Sequence, residues 1–376
     1  VNRHPLRRRP TRRSAATRIV RTALVGLAAS TLFSAAHASR TYVYVSNADS
    51  QDISAYSLDD ASGALSPIQT LNVGGTAMPL ALSPNHHRLY VGLRSKPYRA
   101  ATLAINPLDG HLLPLGDASL PESMAYISTD ATGRYLLAAS YGGNMLSLSR
   151  IDANGIAQAA QQTVPTGPMA HSIRTAPDNQ YAFASVLGAD AWLRLKLDTE
   201  RGMLVEDAAP AYSLPAKSGP RHFVFSNNGR FVYLIDELDG KLHVLTFNPS
   251  MDKAKPIQTL SILPSDFDKQ GKPWGADVHQ TPDGKFVYIS ERTSSTLGGY
   301  RVDASTGKLT RFGTWPTEKQ PRGFGIDPSG RYLFAVGQLS DHLTVYRIDA
   351  KTGALTAVTR VATGKNPNWV ESVNFE

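Results

Sequence analysis

The chain has 376 residues, no cysteine and a formal net charge of +8. Eight arginines fall in the first 38 residues, at positions 3, 7, 8, 9, 12, 13, 18 and 21, with no lysine and no acid beside them, so the whole excess belongs to this segment and residues 39–376 are neutral. A neutral body lacks the basic surface that nucleic acid requires, and a chain without cysteine forms neither disulfides nor thiolate metal sites.

Taken in chain order, the basic segment leads into an apolar stretch, Thr22 to Phe33, and then into Ala36-His37-Ala38, a small-x-small cleavage site. These are the three regions of a secretory signal peptide, and the apolar run is too short to span a bilayer comfortably. Arg12-Arg13 is a twin arginine, but Ser14-Ala15-Ala16 follows where a twin-arginine signal carries a bulky apolar residue. The expectation is a leader over 1–38, general export to the periplasm, and one domain over 39–376 that leaves the membrane once the leader is removed. The alternative is a basic arm that is never translocated.

From Thr41 onward one pattern recurs, with strand centres at Tyr44, Tyr90, Leu137, Phe183, Tyr233, Tyr288 and Phe334, at intervals of 46, 47, 46, 50, 55 and 46 residues. A period of about 40–50 residues with four short strands per unit is the mark of a propeller blade. The last unit shows the parts: a short run Phe324-Gly325-Ile326, a turn Asp327-Pro328-Ser329-Gly330, a strand to Val336, an alternating strand Leu343 to Ile348, a turn Asp349 to Gly353, and a final strand. Gly63, Gly110, Gly155, Gly202 and Gly307 mark the second turn in other units, where the tight connection requires turn chemistry. The fifth unit departs from this rule at Ser250-Met251-Asp252-Lys253.

The ends predict how the ring closes. Thr41-Tyr42-Val43-Tyr44-Val45 reads as the second strand of a unit, and Asn368 to Phe375 reads as an innermost strand with nothing after it. Pairing the two completes a blade from both termini and leaves no open sheet edge. The predicted fold is therefore all-β: a seven-bladed β-propeller of four-stranded antiparallel blades, the last closed by the N- and C-terminal strands, and a monomer.

In such a ring, the starts of first strands and the ends of second strands converge on one channel mouth. Six residues before each first-turn proline, or its equivalent, stand Met78, Met124, His171, Arg221, Ala276 and Arg322; second strands end at Ser140-Tyr141, Glu237, Glu291-Arg292 and Gln338. Asp277 lies beside Ala276, and two longer connections bring Lys217 and then Asp266, Lys269, Lys272 and Trp274 onto the same face. Long loops on one face of a repeat protein mark its binding face, and this mouth suits an anion.

The segments Gly219-Pro220-Arg221-His222, Asp236-Glu237-Leu238, Trp274 to Gly284, Gln320 to Phe324 and His171-Ser172 resemble the β-propeller lactonases, which include the bacterial propeller-type 6-phosphogluconolactonases and, more distantly, the fungal carboxy-muconate lactonizing enzymes. The resemblance extends over essentially all of residues 40–376. It implies hydrolysis of a sugar δ-lactone, phosphorylated or not, and the residue types at the mouth suit that chemistry with no cofactor and no metal. It maps the family's catalytic set onto His171, Glu237, Arg221 and Arg292, with Arg322, Asp277, Lys217, Lys272 and Trp274 as substrate-binding candidates. The export signal departs from the cytoplasmic setting in which phosphosugars are made.

The residue types fit that chemistry. A histidine titrating near neutrality can act as general base, a carboxylate can orient it, and guanidinium forks match carboxylate and phosphate. Each residue also has a structural reading: His171 as a hydrogen-bonded core histidine, Arg221–Glu237 as a structural ion pair, Asp277 and His279 as one face of a strand, and Trp274, Trp315 and Trp369 as packing. A hard cation would need several converging oxygen ligands, whereas this mouth offers more arginine than carboxylate. The rival functions are a non-enzymatic periplasmic propeller that binds a sugar acid or a protein partner, and a cycloisomerase acting on a muconate-type diacid.

Overall fold

A computed structural model of the chain describes residues 40–248, 253–268 and 270–375. The expected leader over 1–38, the departure at residues 250–252 and Lys269 lie outside the described residues.

The described residues form seven antiparallel sheets, six of them built from neighbours in sequence. Blade two is typical, with strands Ala77–Leu82, Arg88–Leu93, Arg99–Ile105 and Leu112–Ser119 running from the channel outward. In the same order, blade four uses Ala170–Thr175, Tyr181–Val186 and Ala191–Asp198, blade five begins Pro220–Phe225 and Phe231–Asp236, blade six Gly275–Gln280 and Phe286–Glu291, and blade seven Phe324–Ile326 and Tyr332–Gly337. Second strands are buried throughout, as in Phe231–Asp236 and Tyr332–Gly337, because each sheet packs face to face between two others. Outermost strands are exposed or half-buried along most of their length, as in Leu355–Ala362, because their outer edge meets solvent.

Blade one is closed as the ends predict. Pro367–Phe375 pairs antiparallel with Arg40–Asn47 along its length, from Arg40 opposite Phe375 to Asn47 opposite Pro367. In blade four the outer strand is split into Met203–Glu206 and Tyr212–Ser213, both paired with Ala191–Asp198, and the residues between them account for part of the 50-residue interval.

The repeated turns have distinct physical jobs. In the first turn, a side-chain oxygen accepts the amide of the residue that opens the next strand: Asp130 from Tyr135 at 2.8 Å, Ser226 from Phe231 at 2.9 Å, Thr281 from Phe286 at 3.1 Å and Asp327 from Tyr332 at 2.6 Å. In the second turn, the strand-centre tyrosines tie one blade to the next, with Tyr44 donating to Gly110 O (2.9 Å), Tyr90 to Gly155 O (2.9 Å) and Tyr288 to Gly353 O (2.6 Å). Gly353 has φ +78°, and a Cβ there would sit 2.7 Å from Phe286 and 2.6 Å from Phe312, so both backbone and space demand glycine. No helix among the described residues is long and apolar enough to cross a membrane.

Candidate active site

The converging positions are fixed by a backbone device repeated around the ring. The first N–H past the second strand donates to a carbonyl two residues before each inner-strand position: Glu237 to Gly219 (2.7 Å), Leu187 to Met169 (3.0 Å), Arg292 to Trp274 (3.1 Å), Gln338 to Gln320 (3.2 Å) and Arg94 to Thr76 (2.9 Å). Met169, Gly219 and Gln320 have positive φ, two residues before His171, Arg221 and Arg322. The strand register then shifts across Ala170/Ser172, Pro220/Phe223 and Gly275/Val278. Such bulges re-aim side chains, and here they fall at His171, Arg221 and Ala276.

Glu237 is the hub. Its Oε2 accepts Arg221 Nε at 2.9 Å and Arg292 Nη2 at 2.8 Å, and its side chain is only 12% exposed. Arg221 is fully buried; its Nη1 donates to Ala276 O, while its Nη2 has no partner. Arg292 also donates to Gly275 O (3.0 Å) and Trp274 O (3.3 Å), and its guanidinium lies 4.0 Å from the Trp274 ring centroid, a cation–π contact. Burial opposes ionisation of Glu237, but Arg221 and Arg292 outweigh it and hold the carboxyl below its ordinary range. Burial, reinforced by Arg221 and opposed by Glu237, brings Arg292 down to about 9.

His171 is 3% exposed, edge-on to Tyr141 at 5.9 Å and to His222 at 5.2 Å between ring centroids. Its Nδ1 is buried without a partner, which leaves Nε2 as the nitrogen open to the cavity. Burial, then the positive field of Arg221 and its neighbours, pushes its pKa well below 6.5, so the imidazole is neutral and able to accept a proton. His222 lies deeper, with Nδ1 2.7 Å from Asp277, and Asp277 also receives His279 at 3.1 Å.

A cavity of about 200 Å³ is lined by Arg94, Ala125, Tyr141, His171, Glu237, Trp274, Arg292 and Arg322. The structure thus brings together His171, Glu237, Arg292, Arg322 and Trp274. Arg221 sits behind Glu237 rather than in the lining, and Asp277 is engaged by two histidines below. Lys217 and Lys272 are exposed and do not line the cavity. Arg94 and Tyr141 complete the wall, and Arg94 carries a readable signal: it follows its second strand at the repeat position occupied by Tyr141, Glu237 and Arg292 in their blades. A larger hollow of about 560 Å³ around Glu318 lies elsewhere; its carboxylate is consumed by Arg360 (2.8 Å) and Thr344 (2.6 Å). Among the described residues no group of His, Asp and Glu is placed to hold a metal ion.

The model of the family described as "Lactonase, 7-bladed beta-propeller" matches residues 39–372. The chain belongs to the seven-bladed β-propeller lactonase family. It is 40% identical over 328 residues to a 6-phosphogluconolactonase of Serratia proteamaculans, covering 87% of this chain and 97% of the relative, and 40% identical over 332 residues to the enzyme of the same name from Yersinia pestis, covering 87% and 96%. Among solved structures it is similar to the periplasmic gluconolactonase of Pseudomonas aeruginosa (TM-score 0.81, 26% identity, 89% of this chain and 99% of that one) and to a putative 6-phosphogluconolactonase of Bacteroides uniformis with the same TM-score, identity and coverage. The lactonase fold is carried by the whole ring, and the cavity sits at the mouth where its blades converge.

Proposed function

We propose that this lactonase hydrolyses a sugar δ-lactone of the gluconolactone type, with 6-phosphoglucono-1,5-lactone the first substrate to test. The observation that carries the reading is the neutral His171 in one cavity with a Glu237 that two arginines hold ionised. His171 Nε2 takes a proton from water as the water attacks the lactone carbonyl, and the same imidazolium returns it to the ring oxygen as the C–O bond breaks. Arg292 faces the oxygen on which negative charge develops, where preorganised donors act most strongly. Glu237 fixes Arg292 and offsets the imidazolium charge, while Arg221 holds Glu237 from behind. Trp274 shields Arg292 from water by stacking on it.

The same proposal extends to location and assembly: residues 1–38 are an export leader, and the mature ring works as a monomer in the periplasm. A structural relative at 26% identity is named as a periplasmic gluconolactonase, which supports testing the unphosphorylated lactone alongside.

The test is pH-stat turnover of glucono-δ-lactone and its 6-phosphate, with and without chelator, for the wild type and His171→Asn. The expected result is chelator-insensitive hydrolysis of at least one lactone and a loss in kcat of about 10²–10⁴-fold in the variant, with an unchanged melting curve. Wild-type turnover no faster than buffer for both lactones overturns the reading.

A further inference from the structure

Two arginines in the cavity form no ion pair with a carboxylate. The cavity's carboxylate, Glu237, is committed to Arg221 and Arg292. Arg94 donates to Ser123 Oγ at 2.8 Å and meets Met78 Sδ at 3.3 Å, with no acid in reach. Arg322 makes no hydrogen bond and no ion pair with any described residue, and burial together with Arg221, Arg292 and Arg94, against the weaker opposing pull of Glu237, pushes its pKa well below the ordinary value. A guanidinium does not give up its proton in a protein, so the clustered charges repel one another, and Arg94 and Arg322, half-buried rather than sealed, stay open to an anion entering the cavity.

The ring also sets these two apart from His171. Arg94 comes from blade two and Arg322 from the approach to blade seven, the blades that flank closed blade one, whereas His171, Glu237 and Arg292 come from blades four, five and six. Both therefore lie two or three blades from His171 around the channel mouth, with Arg322 beside Arg292 of blade six.

We propose that Arg94 and Arg322 form an anion subsite that takes the phosphate monoester at the far end of the sugar, opposite the lactone carbonyl at His171. The inference rests on the lactonase reading and deepens it. A phosphate monoester carries close to two negative charges at neutral pH and three acceptor oxygens, enough for two guanidinium forks. A carboxylate would leave one positive charge unmatched.

The experiment is calorimetric titration of the purified protein with three stable acids: gluconate, 6-phosphogluconate and glucarate. The wild type is expected to bind 6-phosphogluconate roughly tenfold tighter or more than gluconate, and Arg94→Gln and Arg322→Gln each to shrink that ratio toward one. Glucarate, which replaces the phosphate by a second carboxylate, is expected to bind between gluconate and 6-phosphogluconate. Without ligand, Arg322→Gln is expected to melt at or above the wild-type temperature, because it removes an unneutralised cation; a purely structural arginine would lower it.

Equal wild-type affinity for gluconate and 6-phosphogluconate, or a preference that survives both substitutions, overturns the subsite. Glucarate matching 6-phosphogluconate overturns the phosphate assignment in favour of a dicarboxylate. Should one variant fail to fold, the other decides. A protein that turns over neither lactone but keeps the phosphate preference would sink the lactonase reading and leave the subsite standing.

Discussion

His171 is held in an environment that decides its protonation before any substrate arrives. Burial and the surrounding guanidiniums lower its pKa well below 6.5, so it stays proton-free at pH values where an ordinary histidine is half charged. A base must be deprotonated to act, and a lowered pKa moves the acid limb of kcat/KM to lower pH. The expected profile is flat through neutrality and falls only below pH 6.5; a limb centred at or above 6.5 would show that the arginines do not govern this histidine. At this scale the sequence was legible where a side chain's place in the cavity followed from repeat position, as for His171, Glu237, Arg292 and Arg322. It was not legible where loop geometry decides. Lys217 and Lys272 lie on the longer connections, yet nothing in residue type shows that Lys217 sits at φ +68° in an exposed turn or that both stay outside the cavity. Asp277 is adjacent in sequence to a mouth position, but alternation along a strand turns it to His222 and His279 instead.

Blades are joined by turns whose glycines face an aromatic ring of the preceding blade. Gly353 combines a positive φ with contact to Phe286 and Phe312, and Tyr288 donates to its carbonyl. Gly353→Ala therefore forces an L residue into a left-handed conformation and a methyl into a filled gap, for a destabilisation of about 2–4 kcal/mol. Gly142, around which a Cβ would meet nothing within 4 Å, supplies the control, and Gly142→Ala is expected to leave the urea midpoint nearly unchanged. Equal midpoints for the two variants would refute the account. Turn glycines and strand-centre tyrosines are both visible as a period in the sequence, so the blade could be read. The bulges in the innermost strands could not, because a register shift depends on pairing with a neighbour and leaves no residue signature of its own.

For the whole ring, closure rests on one pairing. Ending the chain at Asn366 removes Pro367–Phe375, exposes the inner edge of Arg40–Asn47 and uncovers core contacts made by Val370 and Val373. The expected outcome is loss of the cooperative melt and aggregation on size-exclusion chromatography; a monomer with an unchanged melting curve would refute it. This closure was legible because each terminus reads as an incomplete blade. It also sets a timetable for biogenesis. Asn374 and Thr41, hydrogen-bonded in the finished sheet, are 333 residues apart, and joining ends that distant costs about 5 kcal/mol by loop-closure scaling. At ribosomal speeds of about 5–20 residues per second the opening strand stays single-edged for on the order of 20–70 s before its partner emerges. The ring cannot latch during translation, so the chain remains open, and in need of a guardian for that edge, until Pro367–Phe375 has reached the compartment where the ring folds.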